Sequence, residues 1–170
     1  MPANANTTAD YVALSGEDWR LITDNVMGGV SKGKVYADER QGKACVAMAG
    51  DVSTENNGGF IQIALDMDEQ TAQQASAYEG IRIHVTGNGQ AYNLHLRTRD
   101  LWFPWQAYRA TFDSESEWQQ IDLPFDKFTA YKTSTKLDTS QLKRVGIVAI
   151  GRDFAADICV SEIGFYRRLM

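Results

Sequence analysis

The sequence predicts an all-β fold. Apolar residues recur at every second position in short runs, and clusters of turn formers separate those runs. No segment carries the wide apolar stripe that would bury a helix in a core. Two Gly-Gly segments about thirty residues apart mark the pattern most clearly: Asp24-Asn25-Val26-Met27-Gly28-Gly29-Val30-Ser31-Lys32-Gly33 and Ser53-Thr54-Glu55-Asn56-Asn57-Gly58-Gly59-Phe60. Each sets polar turn formers and two glycines before an apolar run. Gly and Asn tolerate positive φ at little cost, so these are places where a chain reverses and enters a strand.

Taken in order, residues 1–10 are small and polar and read as a flexible tail, and residues 11–170 as a single β-sandwich domain. A chain of this length buries roughly 70% of its unfolded surface, which is enough for a core without staples. Ala44–Ala49 is the first clear strand. Ile61, Ile63 and Leu65 alternate in the second, Ile81, Ile83 and Val85 in the third, and Tyr92, Leu94 and Leu96 in the fourth. Gln106–Phe112, Trp118–Leu123, Val145–Ile150 and Ile158–Phe165 complete the set. Asp68–Tyr78 and Thr139–Arg144 read as short surface helices, because neither has a wide apolar face.

Thr86-Gly87-Asn88-Gly89-Gln90 contains Asn-Gly, the strongest short hairpin signal. A two-residue turn there predicts that Val85 faces Tyr92, Ile83 faces Leu94 and Ile81 faces Leu96, every pair apolar. The same register gathers Arg82, His84, Asn93, His95, Arg97 and Arg99 on the opposite face. That strip is either a solvated outer face or the floor of a groove, and both readings stay open.

The net charge of −5 argues against duplex nucleic acid and against an anionic membrane surface, since both require a basic footprint. No apolar stretch reaches the ~20 residues that cross a bilayer. Met1–Asp10 shows neither a basic nor an apolar signal-peptide region, and the chain reads as soluble and cytoplasmic. Cys45 and Cys159 read as buried small hydrophobes. No spacing motif supports a disulfide between them, and their pairing is left open.

Several motifs in fixed order resemble the complex I intermediate-associated protein family. They begin with Trp19 before Asp24–Ser31, the Asn56-Asn57-Gly58-Gly59-Phe60 turn and Gly80-Ile81. Next come Gly87-Asn88-Gly89 followed by Tyr92, Leu96-Arg97-Thr98, and the aromatic strand ending at Phe112. Trp118, Leu123-Pro124-Phe125 with Phe128, Val145-Gly146-Ile147 and the closing strand at Ile163 finish the series. The resemblance runs from Trp19 to Phe165. It implies an antiparallel jelly-roll β-sandwich of the galactose-binding type. It also implies a non-enzymatic protein that engages a protein partner, since mitochondrial members act as assembly factors for respiratory complex I. This chain looks like a stand-alone bacterial version.

Chemistry-bearing motifs are sparse. No Gly-x-Ser-x-Gly elbow, Walker loop, Rossmann fingerprint, Cys-x-x-Cys or His-Glu-x-x-His stands in the chain. No cofactor is expected. His84 and His95 lack a third ligand for zinc, and Asp66, Asp68 and Glu69 read as a surface cluster in preference to a calcium site. The strongest recognition signal is Asp100-Leu101-Trp102-Phe103-Pro104-Trp105, three aromatics around a proline. Together with Arg97, Arg99 and Tyr108 it offers Trp and Arg anchors for a protein, or rings on which a sugar stacks. The binding candidates are therefore Arg82, His84, His95, Arg97, Arg99, Trp102, Trp105 and Tyr108. The alternative function is a carbohydrate-binding module that uses the Trp102–Trp105 loop and the Arg97/Tyr108 face. Asp24, Asn25, Gly28, Gly29, Asn56, Asn57, Gly58 and Gly59 read as structural turn residues.

Overall fold

The computed structural model describes residues 9–14 and 19–168, which form twelve strands and one α-helix. In chain order the elements begin with β1 (Ala9–Ala13), β2 (Arg20–Thr23), β3 (Lys32–Arg40), β4 (Lys43–Val52) and β5 (Phe60–Asp66). Helix α1 (Glu69–Ala75) precedes β6 (Gly80–Gly87), β7 (Ala91–Thr98), β8 (Ala107–Asp113) and β9 (Gln119–Pro124). The last elements are β10 (Thr129–Tyr131), β11 (Leu142–Ile150) and β12 (Phe154–Arg168). Of the expected tail, residues 1–8 lie outside the described residues, and Ala9 and Asp10 open β1.

The strands make two antiparallel sheets, as a jelly-roll sandwich requires. The first runs β3-β4-β12-β6-β9, with β1 paired to the end of β12. The second runs β10-β8-β7-β11-β5-β2. The inward residues of both sheets form one core, among them Met48, Ile81, Ile83, Val85 and Phe165 of the first and Ile61, Ile63, Leu94, Leu96 and Ile147 of the second. The predicted period-2 alternation therefore identifies the buried face of each strand.

The predicted hairpin is corrected. β6 pairs with β12 and β9, while β7 pairs with β8 and β11. The chain crosses from one sheet to the other at Asn88-Gly89, and the apolar residues of β6 and β7 meet across the core. Only Gly89 takes positive φ there (85°), so no type I′ turn forms. Asn88 holds the crossover instead. Its Nδ2 donates to the Ala155 carbonyl at 2.9 Å, and its Oδ1 accepts from the Tyr92 hydroxyl at 2.7 Å. A two-residue turn with both φ positive stands at Gln41-Gly42 (51° and 79°) and joins β3 to β4.

The short surface helices are smaller than expected. Asp68 caps α1 by accepting from the Thr71 amide at 2.8 Å. Only Thr139–Gln141 is helical in the second segment, a 3-10 turn, because Leu142 and Val145 are claimed by the core side of β11.

The cysteines are paired, which settles the question the sequence left open. Cys45 and Cys159 form a disulfide between neighbouring strands β4 and β12, with Cα atoms 5.7 Å apart. With Ala47 they make a small cluster against which Tyr36 and Trp118 pack.

Candidate functional site

The two Gly-Gly segments are one structure built around a buried carboxylate. Asp24 is fully buried. It accepts hydrogen bonds from the Ser31 amide (3.0 Å), the Ser31 hydroxyl (2.5 Å), the Gly59 amide (2.5 Å) and the Phe60 amide (3.2 Å). Burial by itself raises the pKa of this group. The bonds from Ser31, Gly59 and Phe60 outweigh it and hold the carboxyl below the usual carboxylate range. A methyl group on Gly29 or Gly58 would overlap the Asp24 side chain, so glycine at these positions serves close approach. Gly28 takes φ 86° to end the 3-10 turn at Asp24–Met27. Asn25 donates to the Ser31 carbonyl at 2.8 Å, and Asn56 reaches the Gly28 carbonyl at 3.4 Å.

Because β6 and β7 lie in different sheets, the predicted cationic strip is split between opposite faces of the molecule. Arg82 and His84 are on the outer face of the first sheet and already partnered. The Arg82 guanidinium binds Asp122 with two bonds of 2.7 and 3.0 Å and lies over the rings of Tyr11 and Tyr166. His84 packs on Trp118, with ring centroids 5.5 Å apart, and its Nδ1 lies 3.2 Å from Lys43 Nζ. Burial and the Lys43 charge depress the His84 pKa. This side is a closed network.

His95 and Arg97 are on the outer face of the second sheet, with companions that sequence reasoning missed. Across the strands, Thr129, Arg109, His95, Gly146, Ala64 and Arg20 form one outward row in register. Two residues further along, Tyr131 pairs with Ala107, and Arg97, Arg144 and Asp66 lie in register. The Arg109 guanidinium lies 3.9 Å above the Tyr131 ring. Arg20 and Arg144 share Asp66, at 3.1 and 2.8 Å. Burial, and secondarily the charge of Arg109, pushes the His95 pKa down to about 4, so this imidazole is neutral at pH 7. One arginine stands on each of β8, β7, β11 and β2. The four residues are present in the sequence, but the sheet order that gathers them is not.

The Trp102–Trp105 loop stands at the end of this face and is held by side-chain hydrogen bonds. Arg97 Nη1 donates to the carbonyls of Phe103 (2.8 Å) and Gln106 (2.6 Å). The Gln106 side chain accepts from the amides of Trp102 and Phe103 at 3.1 and 3.0 Å, and donates to the Lys132 carbonyl at 3.1 Å. With the backbone satisfied in this way, the rings point outward. Trp102 is 90% exposed, Trp105 53% and Phe103 50%. Phe103 and Trp105 stack with centroids 4.7 Å apart and planes 10° apart. Arg99 turns away to donate to the Leu142 carbonyl at 2.8 Å. Tyr108 is corrected: it is 1% exposed and faces the core, its hydroxyl donating to the Thr135 and Lys136 carbonyls. Its neighbour Arg109 takes the outer position.

Among the described residues, no group of three or more His, Cys, Asp or Glu side chains is placed to hold a metal ion. Asp66 is engaged by two arginines, and Asp68 caps α1. No described helix is long and apolar enough to cross a membrane.

Residues 9–158 match the sequence profile of complex I intermediate-associated protein 30. The chain belongs to this family. No curated protein is similar enough in sequence to be matched. Among solved structures, the family 11 carbohydrate-binding module of Clostridium thermocellum, in complex with a β-1,3-1,4-mixed-linked tetrasaccharide, aligns with a TM-score of 0.75 at 12% identity. The alignment covers 97% of this chain and 99% of that one. A second structure of a family 11 module, from a cellulosomal cellulase of the same organism, gives 0.73 at 11% identity over 98% of both chains. A family 30 carbohydrate-binding module of Clostridium thermocellum gives 0.58 at 11% identity, over 94% of this chain and 91% of that one. At these identities the likeness is one of fold. The CIA30 chain is thus a jelly-roll sandwich of the galactose-binding-like type, carrying the Asp24 hub of its two Gly-Gly segments and the exposed aromatic loop.

Proposed function

We propose that this member of the complex I intermediate-associated family is a non-enzymatic binding domain that docks a protein partner through the Trp102–Trp105 loop. The observation that carries this reading is the display of three large rings in water on a hydrogen-bonded loop. An ordinary surface loop hides such rings, because exposing them sacrifices the hydrophobic stabilisation of burial. Trp is among the residues that dominate protein interfaces, and a loop already ordered by Arg97 and Gln106 loses little entropy on docking. Family membership supports a respiratory complex I assembly intermediate as the partner.

A glycan is the second reading, favoured by the almost fully open Trp102 ring and by the fold it shares with carbohydrate-binding modules. Against it, the polar groups nearest the rings, Arg97 and Gln106, are spent on the loop's own backbone. Sugar recognition needs such groups free for hydroxyls.

Co-purification from native lysate of the organism, with wild-type chain and Trp102→Ala in parallel, tests the proposal. A discrete protein retained by wild type and lost with Trp102→Ala is expected. Absence of any such protein, together with Trp102-dependent binding on a glycan array, would replace the protein reading with the sugar one.

A further inference from the structure

The outer face of the second sheet concentrates positive charge in a chain whose net charge is −5. Arg20, Arg97, Arg109 and Arg144 project from adjacent register rows, with Asp66 among them as the carboxylate shared by Arg20 and Arg144. Among the described residues Arg97 bonds to neutral carbonyls and has no carboxylate partner. Among the described residues Arg109 has neither a carboxylate partner nor a side-chain hydrogen bond, while stacking on Tyr131 fixes its plane. Gly146 contributes no side chain at the centre of the row, and the Gln62 side chain lies over it. Lys132 lies 5.5 Å from the Tyr131 ring and joins this face to the aromatic loop through its bond with Gln106.

We infer that this face receives an extended acidic segment of the protein partner, whose carboxylates pair with Arg109 and its neighbouring arginines while an apolar group of the same partner covers the Trp102 loop. The inference rests on the protein-binding reading above and names the chemistry of the partner. An immobilised, unpaired guanidinium is a fork shaped for a carboxylate. From Arg109 on β8 to Arg20 on β2 the row crosses four strand intervals, about 19 Å. An extended peptide of about six residues spans that distance. A neutral saccharide gains nothing from the charge, and the Tyr131 ring offers it cations in place of an open face.

The probe is a fluorescein-labelled octaglutamate peptide, compared with octaglutamine and with an oligogalacturonate of matching charge. Anisotropy titrations use the full chain, Arg109→Gln, Arg109→Lys and Trp102→Ala. Octaglutamate should bind at least about tenfold more tightly than octaglutamine and weaken as salt rises from about 50 to about 300 mM. Arg109→Gln should weaken it about five- to tenfold, and Arg109→Lys, which keeps the charge and loses the fork, by less. Trp102→Ala should leave it unchanged. Equal affinity for octaglutamine, indifference to Arg109→Gln in a variant with wild-type circular dichroism, or a preference for the oligogalacturonate overturns the inference. Protein capture that depends on Trp102 while octaglutamate fails to bind would sink the acidic segment alone. Octaglutamate binding with no captured protein would sink the docking proposal instead.

Discussion

The Asp24 carboxylate accepts the Gly59 amide proton at 2.5 Å across thirty-five residues of sequence, and that bond fastens the two Gly-Gly segments into one unit. Asp24→Ala strands the amides of Ser31, Gly59 and Phe60 and the Ser31 hydroxyl. The expected loss is about 3–5 kcal/mol, read by urea denaturation. Gly58→Ala should also destabilise, because its methyl group overlaps Asp24. Since the folded-state pKa lies below the unfolded one, the stabilisation is complete above about pH 4 and fades as pH falls through the folded value. A variant Asp24→Asn should lose this part of the acid dependence.

The Cys45–Cys159 disulfide closes a loop with a sequence separation of 114. Reduction, or Cys45→Ala with Cys159→Ala, should cost about 2–4 kcal/mol, visible as a lower urea midpoint. Disulfides form and persist in oxidising compartments, which sets this pair against the cytoplasmic expectation. Alkylation of freshly lysed cells followed by mass measurement should find both cysteines unmodified.

The histidines should destabilise the fold in mild acid. His95 is held near 4 by burial and by Arg109, against an ordinary value of 6.5, and His84 is shifted the same way by burial and Lys43. The unfolded chain therefore binds protons first. Stability is complete above about pH 7 and declines by about 3 kcal/mol as pH falls toward 4. In an NMR titration Arg109→Gln should move the His95 midpoint upward, because it removes the second cause of the shift.

Arg97 braces the aromatic loop without entering the core. Arg97→Gln should leave the unfolding midpoint almost unchanged while hydrogen exchange quickens at the Trp102 and Phe103 amides. Tyr108→Ala should do the reverse, costing about 3–5 kcal/mol by opening a core cavity.

Alternation made the buried face of each strand legible in the sequence, from Ile61 and Ile63 to Leu94 and Leu96. Strand partners were not legible. A tight turn at Asn88-Gly89 shows that the chain reverses, yet an apolar face is satisfied equally by a neighbour in the same sheet or by the opposite sheet across the core. That ambiguity put Arg82 and His84 beside His95, when they lie on opposite sides of the sandwich. It also hid the disulfide, because Cys45 and Cys159 meet only once β4 is known to lie beside β12. The Trp102–Trp105 loop was legible because three aromatics around a proline between two strands leave few ways to bury every ring. Tyr108 was not, since one residue of strand register decides whether it or Arg109 faces outward.

The most direct test of docking through the loop is photo-crosslinking in cells with a benzophenone amino acid at position 103, between the exposed rings of Trp102 and Trp105. The account predicts a light-dependent adduct to a discrete protein that disappears when Trp102→Ala is added. No protein adduct at position 103, or an equal yield from the same probe at an exposed site on the first sheet, would contradict it.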